Sequence, residues 1–405
     1  MPRLRCWIPV PVTANGLWKK FPEASRRLED SGSYLRPMNR LLPILFFATL
    51  LFACEPSPEP SNSPTIEPAP TTVFGTTTAG ATVRQHELRN ANGMRATVMT
   101  YGAYLTRLHV PDSAGNVVNV VLGFDSLRPY TEPQPFFGAT VGRYANRIGD
   151  AQFTLNGTTY ELPANDGANQ LHGGPNGFDK QIWEIVSADA QAITLRHDSP
   201  DGAGGFPGNV QTEVTYSLGD DNVLAIDYRA TTDQPTILNL TNHAYFNLRD
   251  GGKTDILDHR LMIDADQITP VDATLIPTGE LRDVAGTPFD FRTAKPIGQD
   301  LNDDLGGYDH NFVLNGYDGP DTDLFRAAVA TEPVTGRRME CWTTEPGIQL
   351  YTANWTEVVA GAIPHAGFCL ETQKFPDTPN RPDFPSAEIS PEQPYRSRTE
   401  YRFGW

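Results

Sequence analysis

The run Asn239-Leu240-Thr241-Asn242-His243-Ala244-Tyr245-Phe246-Asn247-Leu248 sets amides and one imidazole among apolar residues, in the two-residue period of a strand. In that period Asn239, Thr241, His243 and Tyr245 share one face, which puts His243 at mid-sheet with polar neighbours. An imidazole titrates near pH 6.5, so a ring held there can give or take a proton under neutral conditions. Taken alone, the segment favours the plainer reading, a structural histidine satisfied by Asn and Thr hydrogen bonds.

Four more segments place polar or ionisable side chains among glycines or apolar strands. In Gly142-Arg143-Tyr144-Ala145-Asn146-Arg147-Ile148-Gly149, Arg147 can aim its planar fork of donors into a pocket, whereas Arg143 reads as a solvated surface side chain. In Asn169-Gln170-Leu171-His172-Gly173-Gly174-Pro175, His172 stands beside two glycines where a backbone can turn sharply and approach a ligand; an exposed loop histidine fits equally. In Gly307-Tyr308-Asp309-His310-Asn311-Phe312-Val313-Leu314, Asp309 sits at a strand entrance, where Asp is usually a turn former. In Gly367-Phe368-Cys369-Leu370-Glu371-Thr372-Gln373 an apolar strand runs into Glu371. Desolvation there disfavours the carboxylate and raises its pKa toward that of a useful general base; a rim-exposed Glu is the competing reading.

Other chemistries have less to stand on. Asp309 with Glu371 has the makings of a glycosidase carboxylate pair. No His-x-His or His-x-x-x-His pair points to a metal, and no nucleophile elbow, P-loop or dinucleotide fingerprint is present. Cys341 and Cys369 can bridge in an oxidising compartment, although Cys369, between Phe368 and Leu370, reads better as a buried thiol.

The elements that must position these residues are strands. Asn92-Gly93, Asn156-Gly157 and Asn315-Gly316 carry the signature of tight hairpin turns. Val83 to Leu88 with Met94 to Thr100 forms the first expected hairpin, and Val210 to Leu218, Val223 to Thr231, Ile348 to Asn354 and Phe368 to Glu371 are further strands. No segment sustains a period of 3.6 over three turns, so the expected fold is all-β, a large antiparallel β-sandwich.

The 405 residues carry a net charge of -17, with 49 acidic against 32 basic side chains, which argues against a nucleic-acid partner and for a small or neutral one. The N-terminus reads as processing signal. After an upstream extension over 1–37, Met-Asn-Arg at 38–40 leads into an apolar run from Leu41 to Phe52 and then Ala53-Cys54. This run is too short to span a bilayer, which takes about 20 residues. Leu51-Phe52-Ala53-Cys54 resembles a bacterial lipobox, making 38–53 a lipoprotein-type signal peptide and Cys54 the lipidated first mature residue. Residues 54–79, rich in Pro, Ser and Thr, read as a tether, and 80–405 as the folded domain. Removing the first 53 residues takes away 8 basic and 3 acidic side chains, leaving the mature part with 24 and 46, more acidic than the whole. The location implied is periplasmic or cell-surface, anchored at Cys54, with a secreted soluble form as the alternative.

In this order, the five segments resemble the aldose 1-epimerase (galactose mutarotase) family. The similarity runs from about Val83 to Phe403 and includes Asp201-Gly202-Ala203-Gly204-Gly205-Phe206-Pro207-Gly208, Leu275-Ile276-Pro277-Thr278-Gly279-Glu280, Glu345-Pro346-Gly347-Ile348-Gln349-Leu350-Tyr351-Thr352 and Phe375-Pro376-Asp377. It implies the supersandwich fold of galactose mutarotases and a free aldose substrate such as glucose or galactose. It also implies Glu371 as general base, His243 as general acid, His172 assisting at the ring oxygen, and Asn146, Arg147, Asp309 and Gln349 binding sugar hydroxyls. Neither metal nor cofactor is implied, because opening a hemiacetal requires one base and one acid. A hexose-6-phosphate epimerase would need an arginine cluster, of which the segments offer Arg147 and Arg143 at most. A sugar-binding protein without turnover has no use for both Glu371 and His243. Typical family members lack a leader, so this chain departs from them only outside the pocket.

Overall fold

The fold is described from a computed structural model over residues 70–405, apart from 356. The upstream extension, the signal segment, Cys54 and the tether up to 69 lie outside the described residues. Three large sheets make the domain. A five-stranded sheet runs in chain order through Thr72–Thr76, Thr82–Arg89, Arg95–Met99, Leu105–Val110 and Val118–Asn119. Its first strand pairs Thr72 with Gln85 and Thr76 with Thr82, so paired structure is already present ahead of Gly80, within the stretch expected to be tether. The Pro/Ser/Thr composition had masked a short edge strand.

A nine-stranded sheet has at its centre Val210–Leu218, Val223–Thr232, Tyr395–Gly404 and Arg338–Thr343. Each alternates inward and outward residues: Val210, Val214, Tyr216 and Leu218 point into the core while Gln211 faces solvent. A six-stranded sheet orders Tyr245–Phe246, Phe368–Gln373, Gly347–Tyr351, Asp309–Leu314, Ala265–Ile268 and Arg282–Asp283. The ladders of all three sheets are antiparallel. One apolar core joins them: Leu88 and Val98 from the five-stranded sheet, Val214 and Ile226 from the nine-stranded, Ile348, Phe368 and Leu370 from the six-stranded. This is the antiparallel sandwich expected, with one broad sheet covered by two smaller ones. Among the described residues no helix is long and apolar enough to cross a membrane.

The hairpin signals divide. Asn156 and Gly157 both adopt positive φ, 51° and 79°, and close the turn between Gln152–Leu155 and Thr158–Glu161 as expected. The strands around Asn92-Gly93 also pair, but through a five-residue loop in which the Asn90 carboxamide accepts from Asn92 and Met94. Asn315-Gly316 makes no hairpin: the strand before it, Asp309–Leu314, pairs with Ala265–Ile268 and Gly347–Tyr351. Gly316 serves packing instead, since a Cβ there would meet the Phe325 ring at 2.2 Å.

Arg143 corrects the surface assignment. It is 2% exposed, and its guanidinium donates to Ser199 Oγ and to the carbonyls of Ser199, Pro200 and Pro207 at 2.8–2.9 Å, tying down the glycine-rich loop around Gly204. An Arg within a polar, glycine-bounded segment looks solvated from composition, yet a planar fork with several donors suits a set of buried carbonyls. Replacing it by Met leaves those acceptors unpaired. Arg143→Met is expected to lower the unfolding free energy by about 3 kcal/mol, read from equilibrium denaturation; an unchanged midpoint would show that other contacts hold the loop.

Candidate active site

Strand register builds one wall of the site. Residues paired across an antiparallel sheet share a face, and Glu371 pairs with Gln349, which pairs with Asn311. One step along, Cys369 pairs with Tyr351 and Tyr351 with Asp309. The same face therefore carries Glu371, Cys369, Gln349, Tyr351, Asp309 and Asn311, while Leu370, Leu350, Ile348 and Phe312 point to the core behind. Asp309 is thus the first residue of a strand, not of a turn.

His243 arrives differently from expectation. The run from Asn239 is broken: Thr241–Asn242 pairs with Thr140–Val141, Tyr245–Phe246 pairs with Phe368–Cys369, and His243 sits in the gap between them. Its backbone is held on both sides, its N–H donating to the Ala139 carbonyl and its carbonyl accepting from Gly138 N–H, both at 2.9 Å. Every residue from Asn239 to Leu248 is buried, so both faces are occupied and alternation does not separate core from solvent. Asn239 and Asn242 act as clamps. The Asn239 carboxamide donates to the carbonyl of Ala145 and accepts from Lys374 N–H, while Asn242 donates to the Gly138 carbonyl and Tyr216 hydroxyl.

Two further segments close the opposite wall. Arg147–Ile148 pairs with Gln170–Leu171, which brings His172 beside Asn146. The Asn146 N–H donates to His172 Nδ1 at 3.1 Å, so the ring accepts there and its proton sits on Nε2. Gly173, at φ 81°, makes the turn possible: a Cβ would stand 1.9 Å from the Gly142 carbonyl oxygen. Arg147 Nε donates to Asp166 at 2.7 Å and Nη1 lies 3.8 Å from Asp309. Gln349 Nε2 donates to Asp309 at 2.6 Å from behind.

These walls enclose a cavity of about 190 Å³, on the scale of one monosaccharide, lined by Asn146, Arg147, His172, His243, Asp309 and Glu371 together with Phe136, Tyr245 and Tyr351. All the site residues expected from the sequence thus meet in one place, with Gln349 backing Asp309. Of the aromatic lining, Tyr245 was expected on the His243 face, whereas Phe136 and Tyr351 were not expected in the site. Phe136, at a positive φ of 60°, stands 4.8 Å from the His172 ring and 5.8 Å from that of His243. Only the Pro-rich Pro133-Gln134-Pro135-Phe136-Phe137-Gly138 loop, with two adjacent aromatics, hinted at it.

The electrostatics follow from burial. Glu371 is 2% exposed, and desolvation, then the nearby Asp309 charge, raises its pKa well above the usual carboxylate value, with Arg147 opposing. Its Oε2 has no hydrogen-bond partner, while Oε1 lies 3.6 Å from His243 Nε2. Burial lowers His243 to about 4. His172 is lowered well below its ordinary value by burial first and then by the charges of His243, Arg147 and Lys180, which keeps it a neutral Nε2–H donor. Donor atoms of His172, His243 and Glu371 lie within 4.8 Å of one another, a set of types that also suits a divalent cation. Cys341 and Cys369 are both free and buried.

Comparison with known proteins places this geometry. A family model described as aldose 1-epimerase matches residues 84–402. The galactose mutarotase of Bos taurus is 42% identical over 341 residues, covering 82% of this chain and 97% of its own. The aldose 1-epimerase of Escherichia coli K12 is 41% identical over 336 residues, covering 80% and 96%. Among solved structures, the galactose 1-epimerase of Lactobacillus acidophilus superposes with a TM-score of 0.72 at 30% identity, covering 83% of this chain and 98% of the other. With a fold of the galactose mutarotase type and a match extending over most of its length, the chain belongs to the aldose 1-epimerase family.

Proposed function

We propose that this protein interconverts the α and β anomers of a free hexose such as glucose or galactose, with Glu371 as general base and His243 as general acid. Glu371 takes the proton of the anomeric hydroxyl, the C1–O5 bond breaks as the C1 carbonyl forms, and His243 Nε2 delivers a proton to O5. Rotation about C1–C2 exposes the other carbonyl face, and reclosure runs the two transfers backward. His172 Nε2–H donates to the ring oxygen, and Asn146, Arg147 and Asp309, backed by Gln349, hold the remaining hydroxyls. One observation carries the reading: a buried carboxylate and a buried imidazole 3.6 Å apart face the same sugar-sized cavity.

The proton balance suits a dry site. With His243 lowered to about 4 and Glu371 raised, the pair rests as carboxylic acid and neutral imidazole; the form that opens the ring, carboxylate and imidazolium, differs from it only in where the one shared proton sits, so the summed charge is zero before, during and after the transfers. Among the described residues Arg147 is the one cation of the lining, already paired with Asp166 and near Asp309, while Lys180 stands behind the Phe136 ring and the donors of Arg143 go to backbone carbonyls and Ser199. That arrangement favours an uncharged sugar over a sugar phosphate.

Glu371→Gln is expected to lower the kcat for equilibration of freshly dissolved α-glucose or α-galactose by about 10²–10⁴-fold, followed by optical rotation; activity retained in this variant would remove Glu371 from the base role. The same substitution should stabilise the fold at alkaline pH. A carboxyl whose folded pKa is raised binds its proton more tightly when folded, so wild-type stability falls as pH rises from about 4.5 through the raised value. The gain of Glu371→Gln should therefore appear at pH 8 and shrink toward pH 4.5 in thermal melts. Because the pair works with one proton, kcat/KM should fall on the acid side near the lowered His243 value of about 4, where both groups are protonated, and on the alkaline side through the raised Glu371 value, where the proton is lost; an alkaline limb unchanged in Glu371→Gln would mean that a different group sets it.

We further propose that Cys54 is lipidated and anchors the domain at a periplasmic or outer face, where it would supply one anomer to a transporter or neighbouring glycosidase. The apolar Leu41–Phe52 run, Ala53-Cys54 and the Pro-rich stretch after it support this. Metabolic labelling with a fatty acid that is lost in Cys54→Ala, and cleavage after Ala53 that globomycin blocks, are the expected results; an unlipidated product would remove the anchor.

A further inference from the structure

His243 must do more than sit near the sugar. If Nε2 is to give a proton in one half of the cycle and take it back in the other, Nδ1 has to keep its own proton in both. A neutral histidine left to itself favours the opposite form, with the proton on Nε2, and in that form the ring cannot receive a proton from O5 on reclosure. Something at Nδ1 must hold the tautomer.

The only partner recorded for Nδ1 among the described residues is the sulfur of Cys369, at 3.5 Å. The histidine's own carbonyl is taken by Gly138 N–H, and the ring faces are covered by Phe136 at 5.8 Å and Tyr245 at 5.1 Å. At the far edge Nε2 looks toward Glu371. Cys369 reaches this point because it lies two residues before Glu371 on the same strand and the same face, and because it pairs directly with Tyr245. One strand thus presents the base to the sugar and a sulfur to the back of the acid.

We propose that Cys369 is the positioning residue of the acid: its sulfur accepts a weak hydrogen bond from His243 Nδ1–H, fixing the ring as the tautomer whose Nε2 exchanges protons with O5. The inference rests on the acid role proposed for His243. A thiol suits this task better than the carboxylate found behind many catalytic histidines. A charged acceptor would stabilise the imidazolium and make it a poor donor to a weakly basic ether oxygen, whereas a neutral sulfur orients the ring without doing so. Burial, together with the neighbouring Glu371 and Asp309 charges, raises the Cys369 pKa well above 9, which keeps the thiol neutral.

The test compares Cys369→Ala, which removes the acceptor, with Cys369→Ser, which supplies a hydroxyl, in the full-length chain. Nitrogen-15 spectra of histidine-labelled protein at pH 8 report the tautomer, with the His243 signals assigned by their loss in His243→Asn. Parent and Cys369→Ser should show Nδ1–H and similar kcat. Cys369→Ala should move toward Nε2–H and lose kcat by about tenfold or more with KM little changed, while its melting temperature separates misfolding from misdirection. Parental kcat and tautomer in Cys369→Ala would overturn the inference, as would a Cys369→Ser variant as impaired as Cys369→Ala with the tautomer unmoved. A parent protein without mutarotase activity would instead sink the functional reading, and the spectra would still report the ring.

Discussion

Desolvation of one carboxylate and one imidazole within 3.6 Å of each other is the constraint around which the rest is arranged. Either charge is costly in a cavity walled by Phe136, Tyr245 and Tyr351, and burial pushes the carboxyl pKa up and the imidazole pKa down, so both groups favour their neutral forms until a sugar lies between them and the solvent. Closeness must be imposed, because neither side chain gains enough from a bare contact to hold the chain in place. It comes from backbone register on the Glu371 side and from a gap between two short ladders on the His243 side.

The clamps around this pair explain why so many buried polar groups lie nearby. Asn239 bonds the Ala145 carbonyl and the backbone N–H of Lys374, so it ties the Arg147 segment to the end of the strand that bears Glu371. Behind it the Lys374 ammonium meets Glu345 at 2.9 Å, and the Tyr395 hydroxyl donates to the other Glu345 oxygen at the same distance. Asp377, just beyond, accepts from Gly149 N–H and gives its own N–H to the Arg147 carbonyl. These bonds run between loops from distant parts of the sequence. They join five separate chain segments into one rim.

Much of this was legible from residue patterns. Strands such as Val210–Leu218 and Phe368–Gln373 announce themselves by alternation or by apolar runs, and Asn156-Gly157 by its tolerance of positive φ. The placement of His243, Glu371, His172, Asn146, Arg147, Asp309 and Gln349 around one cavity was expected from the family resemblance, since no local rule says that Gln349 pairs with Glu371. Where local rules misled, a long-range contact had overridden them. The His243 run has a strand's period, but burial on both faces lets the backbone break between ladders. Gly316 looks like a turn residue and is a vacancy for Phe325. Arg396, Arg398, Glu400 and Arg402 make Tyr395–Gly404 look solvated, although they alternate with inward Tyr395, Ser397, Thr399, Tyr401 and Phe403 at the centre of the broadest sheet.

The two strands that align Gln349 with Glu371 are joined by no tight turn; the chain leaves the first at Tyr351 and enters the second at Phe368. A hairpin of fixed length would dictate the pairing, whereas here seating of side chains does so. Lengthening such a connection costs little, about 0.6 kcal/mol for each doubling of a flexible loop. The ends of this connection are fixed, Thr352 by bonds to Tyr308 and Ala366 by the Asn247 carboxamide, which leaves its middle as the part whose length can change at little cost to the catalytic wall. Trp355, stacked over Tyr245 at 5.8 Å, shows that it passes beside the cavity mouth. Diversification of what stands over the sugar, by descent or by design, has a natural place to occur.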